Sequence, residues 1–378
     1  PDGVWFIELA SLSDAAAVPD ALATTLGITP QAGTPVVNTV ADALSGRRVL
    51  LVLDNCEHLA GAVAEVVQAM LARSTTLRML PPAARLIIAG RTASPDGTDV
   101  AVVRLMQHGS PDMGFGTAGS VTFAFGLPGA TAEADNANGV AIDAEGRIVV
   151  AGTANESAPN NEIRFGVARL LQDGTLDTAF NGSGSTTVAF DPGTGVSNAY
   201  AFGIVVAGDG KLLIPGYANT SPLSMLNMDV AAARLNDDGT PDTTFGDNGR
   251  VTIGFDLEAN GIDAAVGAAE QPDGRVLLVG TAVNGSMQYA ISLRLDADGA
   301  LDATYGTGGR ETYNFGLTSP GTQAFTGITF QGTQIIAGGV IYVPPMNITP
   351  PPLDCMAVRL TNDATTQDGD AIFASSFE

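Results

Sequence analysis

Among 378 residues there is one lysine, Lys211, one tryptophan, Trp5, two cysteines, Cys56 and Cys355, and two histidines, His58 and His108. Each scarcity closes a route. Two histidines cannot build a His-rich metal site, and neither stands near a G-x-S-x-G elbow that would make it the base of a nucleophilic triad. Two cysteines so far apart provide no disulfide framework. Apolar runs are broken by Gly, Pro or charge well short of the roughly 18 to 20 residues that a bilayer span needs. Basic side chains number 17 against 40 acidic ones, a formal net charge of −23. That balance repels phosphate backbones and anionic lipid, so neither nucleic acid nor membrane insertion is expected.

What the chain does hold is 46 glycines, 21 prolines and 45% hydrophobic residues, a composition of short strands and tight turns with apolar cores. The first 80 residues differ from the rest. They run strand (Val4 to Leu9), helix (Asp14 to Leu26), helix (Val36 to Leu44), strand (Val49 to Leu53) and helix (Ala60 to Arg73), an α/β pattern with a buried parallel strand. Ser13 and Asp14 supply an N-cap and Gly27 a stop.

Beyond about residue 85 the helical period gives way to strands of five to eight residues between Asp-Gly, Asn-Gly and Gly-Gly turns. A long repeat is present. Arg104, Arg169, Arg234, Arg294 and Arg359, each followed by Leu, recur at intervals of 65, 65, 60 and 65 residues. Eight residues after the first four arginines stand Asp112, Asp177, Asp242 and Asp302, and three further on Phe115, Phe180, Phe245 and Tyr305. Upstream of each arginine is a β-rich run ending in Gly, such as Ile148 to Gly152 and Val276 to Gly280. Four strand-sized pieces per copy predict a mainly β chain with a β-propeller of about five four-stranded blades, closed or incomplete. Copy one lacks a clear first strand, and copy five ends at Leu360 without a clear fourth.

The run Asp273 to Ala282, with Ser292 to Gly306, resembles the delta-60 repeat family of bacterial β-propeller-like proteins over about residues 85–360. The resemblance implies a fold and no transferable activity. Gly3 to Ala10 and Val49 to Leu59 resemble part of the nucleotide-binding domain of NB-ARC-like signalling ATPases. There Leu50 to Asn55 would be the Walker B strand and Asp54 the magnesium-side carboxylate. That family's G-x-x-x-x-G-K-[ST] loop occurs nowhere and would lie upstream of Pro1, so residues 1–80 read as a segment truncated at both ends. Asp370 to Glu378 resembles the I-F-x-x-x-F-E tails of some exported bacterial proteins, which implies an extracytoplasmic or secreted life for the repeats.

These readings divide the chain into 1–80, a truncated α/β segment, 85–360, the propeller, and 361–378, a tail. A role needed once per blade is architectural, so the repeated aspartates are expected to cap turns, the arginines to pair within the fold and the aromatics to plug the core. The turns Asn236 to Gly239 and Asp296 to Gly299 have the carboxylate spacing of calcium loops without a closing bidentate glutamate, so hairpin turns are the simpler reading. No cofactor is expected, calcium at those turns being the one candidate. Cys56, Glu57 and His58 read as ordinary loop residues. The expected function is a non-catalytic binding scaffold, not an enzyme, with a protein or carbohydrate partner. The alternative is a nucleotide-dependent regulator with the repeats as sensor. The variable stretches 154–163, 218–228, 283–288 and 341–354 all follow the second strand of their copy and should share one rim.

Overall fold

The computed structural model describes residues 3–8, 14–30, 33–44, 49–54, 66, 85–95, 97–106, 109–126, 134–156, 162–190, 198–220, 227–255, 257, 261–315, 321–331, 334–342, 353–360 and 371–375. The chain divides into two compact units, one of residues 1–85 with 106–108 and one of the remainder.

In the first unit β1 (Gly3–Glu8) is followed by α1 (Val18–Thr25), α2 (Val36–Leu44) and β2 (Val49–Asp54). β1 and β2 pair in parallel, with Glu8 opposite Asp54. The helices bury Val18, Leu22, Val40 and Leu44 in one cluster, because these positions recur at helical spacing. α1 starts later than expected. Asp14 Oδ1 accepts from the Ala16 amide and its carbonyl from the Ala17 amide, the latter bond closing a 3₁₀ turn over Ala15–Ala17, and the helix proper begins with Pro19 in its first turn, where a missing N–H costs nothing. Gly27 ends it at φ +64°. Of the helix expected over 60–73 only Val66 is described, buried against the two helices. Cys56, Glu57, His58 and His108 lie outside the described residues.

The second unit is a succession of antiparallel meanders, here called blades. Blade 1 has β3 (Arg85–Ser94), β4 (Gly97–Met106) and β5 (Ser120–Phe123); blade 2 has β6 (Asn136–Ile142), β7 (Ile148–Glu156), β8 (Glu162–Leu170) and β9 (Ser185–Val188). Blade 3 splits its first strand into β10 (Ala199–Ala201) and β11 (Val205–Val206), then runs β12 (Leu212–Asn219), β13 (Met228–Leu235) and β14 (Arg250–Ile253). Blade 4 has β15 (Asp263–Glu270), β16 (Val276–Asn284), β17 (Met287–Leu295) and β18 (Arg310–Tyr313); blade 5 has β19 (Gly321–Gln331), β20 (Gln334–Tyr342), β21 (Leu353–Leu360) and β22 (Ala371–Ser375).

Among the described residues no strand precedes β3 in copy one. Copy five, in contrast, has a fourth: β22 pairs antiparallel with β21, so part of the stretch set apart as a tail completes a blade. Its Ile372 and Phe373 suit a strand once a partner edge is available. Among the described residues no strand pairing joins the first blade to the fifth.

Blades stack through their faces. On β7, Ile148 and Val150 turn toward Val100, Val102 and Phe115 of blade 1, while Val149 and Ala151 turn toward Leu212 and Ile214 of blade 3. The period-two alternation of a strand buried on both sides produces this division. The same pattern places Val276 and Leu278 against blade 3, and Ile335 and Ala337 against blade 4. Each buried Val, Leu, Ile or Phe is worth about 1.5–3 kcal/mol. Short parallel contacts link the start of each third strand to the start of the next first strand: Ile163 with Asn198, Met228 with Ile262, and Met287 with Gly321. The ends of the second strands therefore share one edge of the array.

Candidate functional site

The repeated Arg, Asp and aromatic positions come together once per blade. Third strands β4, β8, β13 and β17 carry the arginine, and the turn that follows carries the acid and the ring. Arg104 Nε donates to Asp112 Oδ2 at 3.0 Å, and Arg169 to Asp177, Arg234 to Asp242 and Arg294 to Asp302 each at 2.7 Å. The guanidinium carbons lie over Phe115, Phe180, Phe245 and Tyr305 at 4.6, 5.0, 4.3 and 4.9 Å from the ring centroids. Each aspartate spends its other oxygen on the turn: Oδ1 accepts from the amides of Gly114, Ala179, Thr244 and Thr304. One carboxylate thus caps the turn and neutralises the arginine, while the ring completes the desolvated site. Arg359 sits on β21 opposite Ile336.

The latch of one blade receives the turn of the next. Arg104 Nη1 donates to the Gln172 carbonyl and Arg169 Nη1 to the Asp237 carbonyl. The amides of Gly116, Asn181 and Gly246 donate to the carbonyls of Asp173, Asp238 and Asp298 at 2.7–2.8 Å. At the tip of each incoming turn is a left-handed glycine, Gly174, Gly239 or Gly299, whose missing Cβ would meet Phe115, Phe180 or Phe245 within about 3 Å. Glycine serves twice there, for the positive φ and for the close approach. The two turns considered for calcium are these incoming turns, and Asp238 and Asp298 use Oδ1 to accept the amides of Thr240 and Ala300.

The reading from sequence missed three sets of residues. Lys211 and Arg275, at the start of second strands, reach Asp242 and Asp302 at 3.1 Å, and Arg147 reaches Asp143 and, across the junction, Asp237. The recurring Asp/Glu-Gly-Lys/Arg triplets at 145–147, 209–211 and 273–275 were the available signal. Burial pushes the Asp242 carboxyl up, but hydrogen bonds from Thr244, with Lys211 and Arg234 beside it, outweigh that and hold it well below the usual carboxylate range. Asp302 is held low in the same way by Thr304, Arg275 and Arg294.

A second set straps blade to blade. Asp135 accepts from the amides of Phe125 and Asn155, Asp263 from Phe255 and Gln323 from Phe315. Phe125, Phe190, Phe255 and Phe315 recur at 65, 65 and 60 residues, so the repeat could have revealed them. Burial raises the Asp135 carboxyl despite its two amide bonds. The third set is particular to blade 4. Ser292 Oγ lies 2.6 Å from Tyr305 Oη and 2.9 Å from Tyr313 Oη, a buried hydroxyl cluster where blade 2 has Val167, Phe180 and Val188.

In the latch the charges are paired and the rings are covered. Among the described residues no group of three or more His, Cys, Asp or Glu side chains is arranged to hold a metal ion, and no helix is long and apolar enough to cross a membrane. Asp54 closes β2 opposite Glu8.

Comparison with known proteins places the repeats. Residues 144–180, 207–245 and 271–305 match the family model described as a domain of unknown function (DUF5122) beta-propeller. An uncharacterized protein of Mycobacterium tuberculosis is 35% identical over 78 residues, 21% of this chain and 20% of its own. A candidate HTH-type transcriptional regulator of the same organism is 33% identical over 106 residues, 27% of this chain and 12% of its own. The chain thus spans a fifth or less of the length of these curated relatives. Among solved structures, a B. megaterium levansucrase mutant aligns over 78% of this chain and 82% of its own at TM-score 0.40 and 10% identity. An alpha-L-arabinofuranosidase from Lactobacillus brevis aligns over 76% and 90% at TM-score 0.39 and 12% identity. An exo-1,5-alpha-L-arabinanase from a bovine ruminal metagenomic library aligns over 64% and 80% at TM-score 0.32 and 11% identity.

The expectation that the chain is not an enzyme is corrected by these matches. The aligned solved chains are named as enzymes, a fold by itself does not decide for or against catalysis, and the expectation is withdrawn. The chain is mainly β, and its repeat region is a β-propeller array whose three central copies match the beta-propeller family model.

Proposed function

We propose that the repeat region is a binding module that takes a protein or carbohydrate ligand along the edge formed by the hairpins between second and third strands. One contrast carries the reading. Through blades 2 to 4 the connections on the latch edge keep their length: residues 143–147, 207–211 and 271–275 between first and second strands, and 171–184, 236–249 and 296–309 between third and fourth, while blade 5 shortens both, to 332–333 and 361–370. On the other edge the same three blades differ, with 157–161, 220–227 and 285–286, and blades 1 and 5 add 95–96 and 343–352. A constant edge is held by what it must support, whereas an edge of variable loops on a rigid frame is where recognition can diversify at little cost to stability. The test compares the intact chain with a variant whose three longer hairpins are cut to two-residue turns, on an oligosaccharide array and in crosslinked affinity capture. Binding by the intact chain that is lost in a variant of unchanged melting temperature supports the proposal; binding that survives the shortening defeats it.

A second reading makes residues 1–80 part of a nucleotide-dependent signalling domain, with Asp54 as magnesium-side carboxylate and the repeats as sensor. It is favoured by the similarity to a candidate transcriptional regulator and by the parallel β1–β2 pair that ends on Asp54. Calorimetry with ATP and magnesium decides it: micromolar binding lost in Asp54→Ala supports the reading, and no heat of binding removes it.

A further inference from the structure

The four blade junctions obey one rule, and the first blade carries half of a fifth junction. In each second strand the residues facing the preceding blade are buried: Ile148 and Val150, Leu212 and Ile214, Val276 and Leu278, Ile335 and Ala337. The matching positions on β3 are Leu86 and Ile88, and these are 54% and 49% exposed. A second, independent mark lies on the turn after the third strand. Gly109 follows Arg104 by the same five residues that separate Gly174 from Arg169, Gly239 from Arg234 and Gly299 from Arg294. Its φ of +84° is close to their +90°, +84° and +87°, but where their Cβ positions press on an aromatic ring of the preceding blade, nothing lies within 4 Å of Gly109's.

We propose that this face of blade 1 is a docking surface for another blade of the same repeat, one that carries the complete Arg, Asp and aromatic set, with the Gly109 turn seated against its ring. The argument is continuity with an established interface: the junctions of blades 1–2, 2–3 and 3–4 build this contact three times, and the surface that would continue the series is intact. The chain's own fifth blade does not supply the occupant. Eight and eleven residues after Arg359 stand Gln367 and Asp370, in place of the acid and the ring, so neither closure of the chain on itself nor docking of a second copy through its fifth blade provides what the turn requires. The proposal is independent of the ligand-binding edge.

The test extends the full chain by a second copy of residues 134–211 placed between Arg85 and Leu86, which supplies a whole blade and the missing first strand in register. Amide exchange of β3 should slow at least about tenfold, and Phe180→Ala in the inserted copy alone should reverse part of the gain, the part that docking of the latch adds to the pairing of the supplied first strand. Unchanged β3 exchange beside a protected inserted repeat overturns the proposal, as does equal protection with and without that Phe180. If the inserted repeat does not fold, the unextended chain decides. Leu86→Glu with Ile88→Glu should leave the melting midpoint within about 2 °C, whereas Ile148→Glu with Val150→Glu lowers it by more than about 10 °C. Comparable losses in both overturn the proposal, as does self-association of the unextended chain that the Leu86 and Ile88 changes abolish.

Discussion

Gly239 stands against the ring of Phe180 in the preceding blade: a Cβ on it would lie 2.9 Å from three ring carbons, at a φ of +84°. Gly239→Ala therefore combines backbone strain with a clash at a blade junction, and we expect it to cost about 2–4 kcal/mol in urea unfolding. Gly109→Ala, with the same φ and open space beyond, should cost only the backbone part, about 1 kcal/mol. Equal losses would show that the junction contact contributes nothing.

Arg234 and Asp242 form a buried pair. Arg234→Ala or Asp242→Ala alone should destabilise by about 3–5 kcal/mol, because each leaves a buried charge with less than it needs. The double variant should cost clearly less than the sum of the two, and additivity in the double-mutant cycle would refute the coupling.

The low carboxyls of Asp242 and Asp302 fix a direction for acid stability. Their folded values lie below the unfolded value near 3.8, so their contribution is present above about pH 4 and is lost as pH falls toward the folded values. Asp242→Asn with Asp302→Asn should flatten the acid limb of a melting-temperature profile. Asp135 works in the opposite sense. Burial raises it from 3.8, so its unfavourable contribution grows as pH rises through the interval above that value. Asp135→Asn, which copies the side chain of Asn198 in blade 3, should remove this part of the profile.

The hydroxyl cluster of blade 4 should behave as a unit. Tyr305→Phe alone removes a partner from Ser292 at the centre of a buried set and should cost about 1–2 kcal/mol. Changing Ser292→Val, Tyr305→Phe and Tyr313→Phe together reproduces the Val102, Phe115 and Phe123 set of blade 1, removes all three hydroxyls without deleting a ring, and should recover much of that loss. A triple variant less stable than the single one would mean that the hydroxyls contribute beyond satisfying one another.

Strand existence was legible in residues such as Ile148 to Gly152 and Val276 to Gly280 because a run buried on both faces is apolar throughout, and the turns were legible because the positive φ of positions such as Gly174, Gly239 and Gly299 favours glycine. The partnership of Arg169 with Asp177 could be anticipated from a spacing of eight in repeated copies. That Arg169 also reaches Asp237, 68 residues on, could not, since nothing local ties a turn to the blade before it. The fourth strand of blade 5 escaped for a related reason: β22 is five residues long and becomes a strand only by pairing with β21.

The sequence by itself determined the number of copies, the alternation that divides each second strand between two neighbours, and the glycines that allow tight turns, all of which are encoded within one repeat length. Only the tertiary structure decided which blade each turn enters, that Asp135 and Gln323 strap successive blades, and that Leu86 and Ile88 remain exposed while their counterparts are buried. The physical reason is that burial belongs to pairs of surfaces: the same apolar residue is core or surface according to whether another blade stands against it.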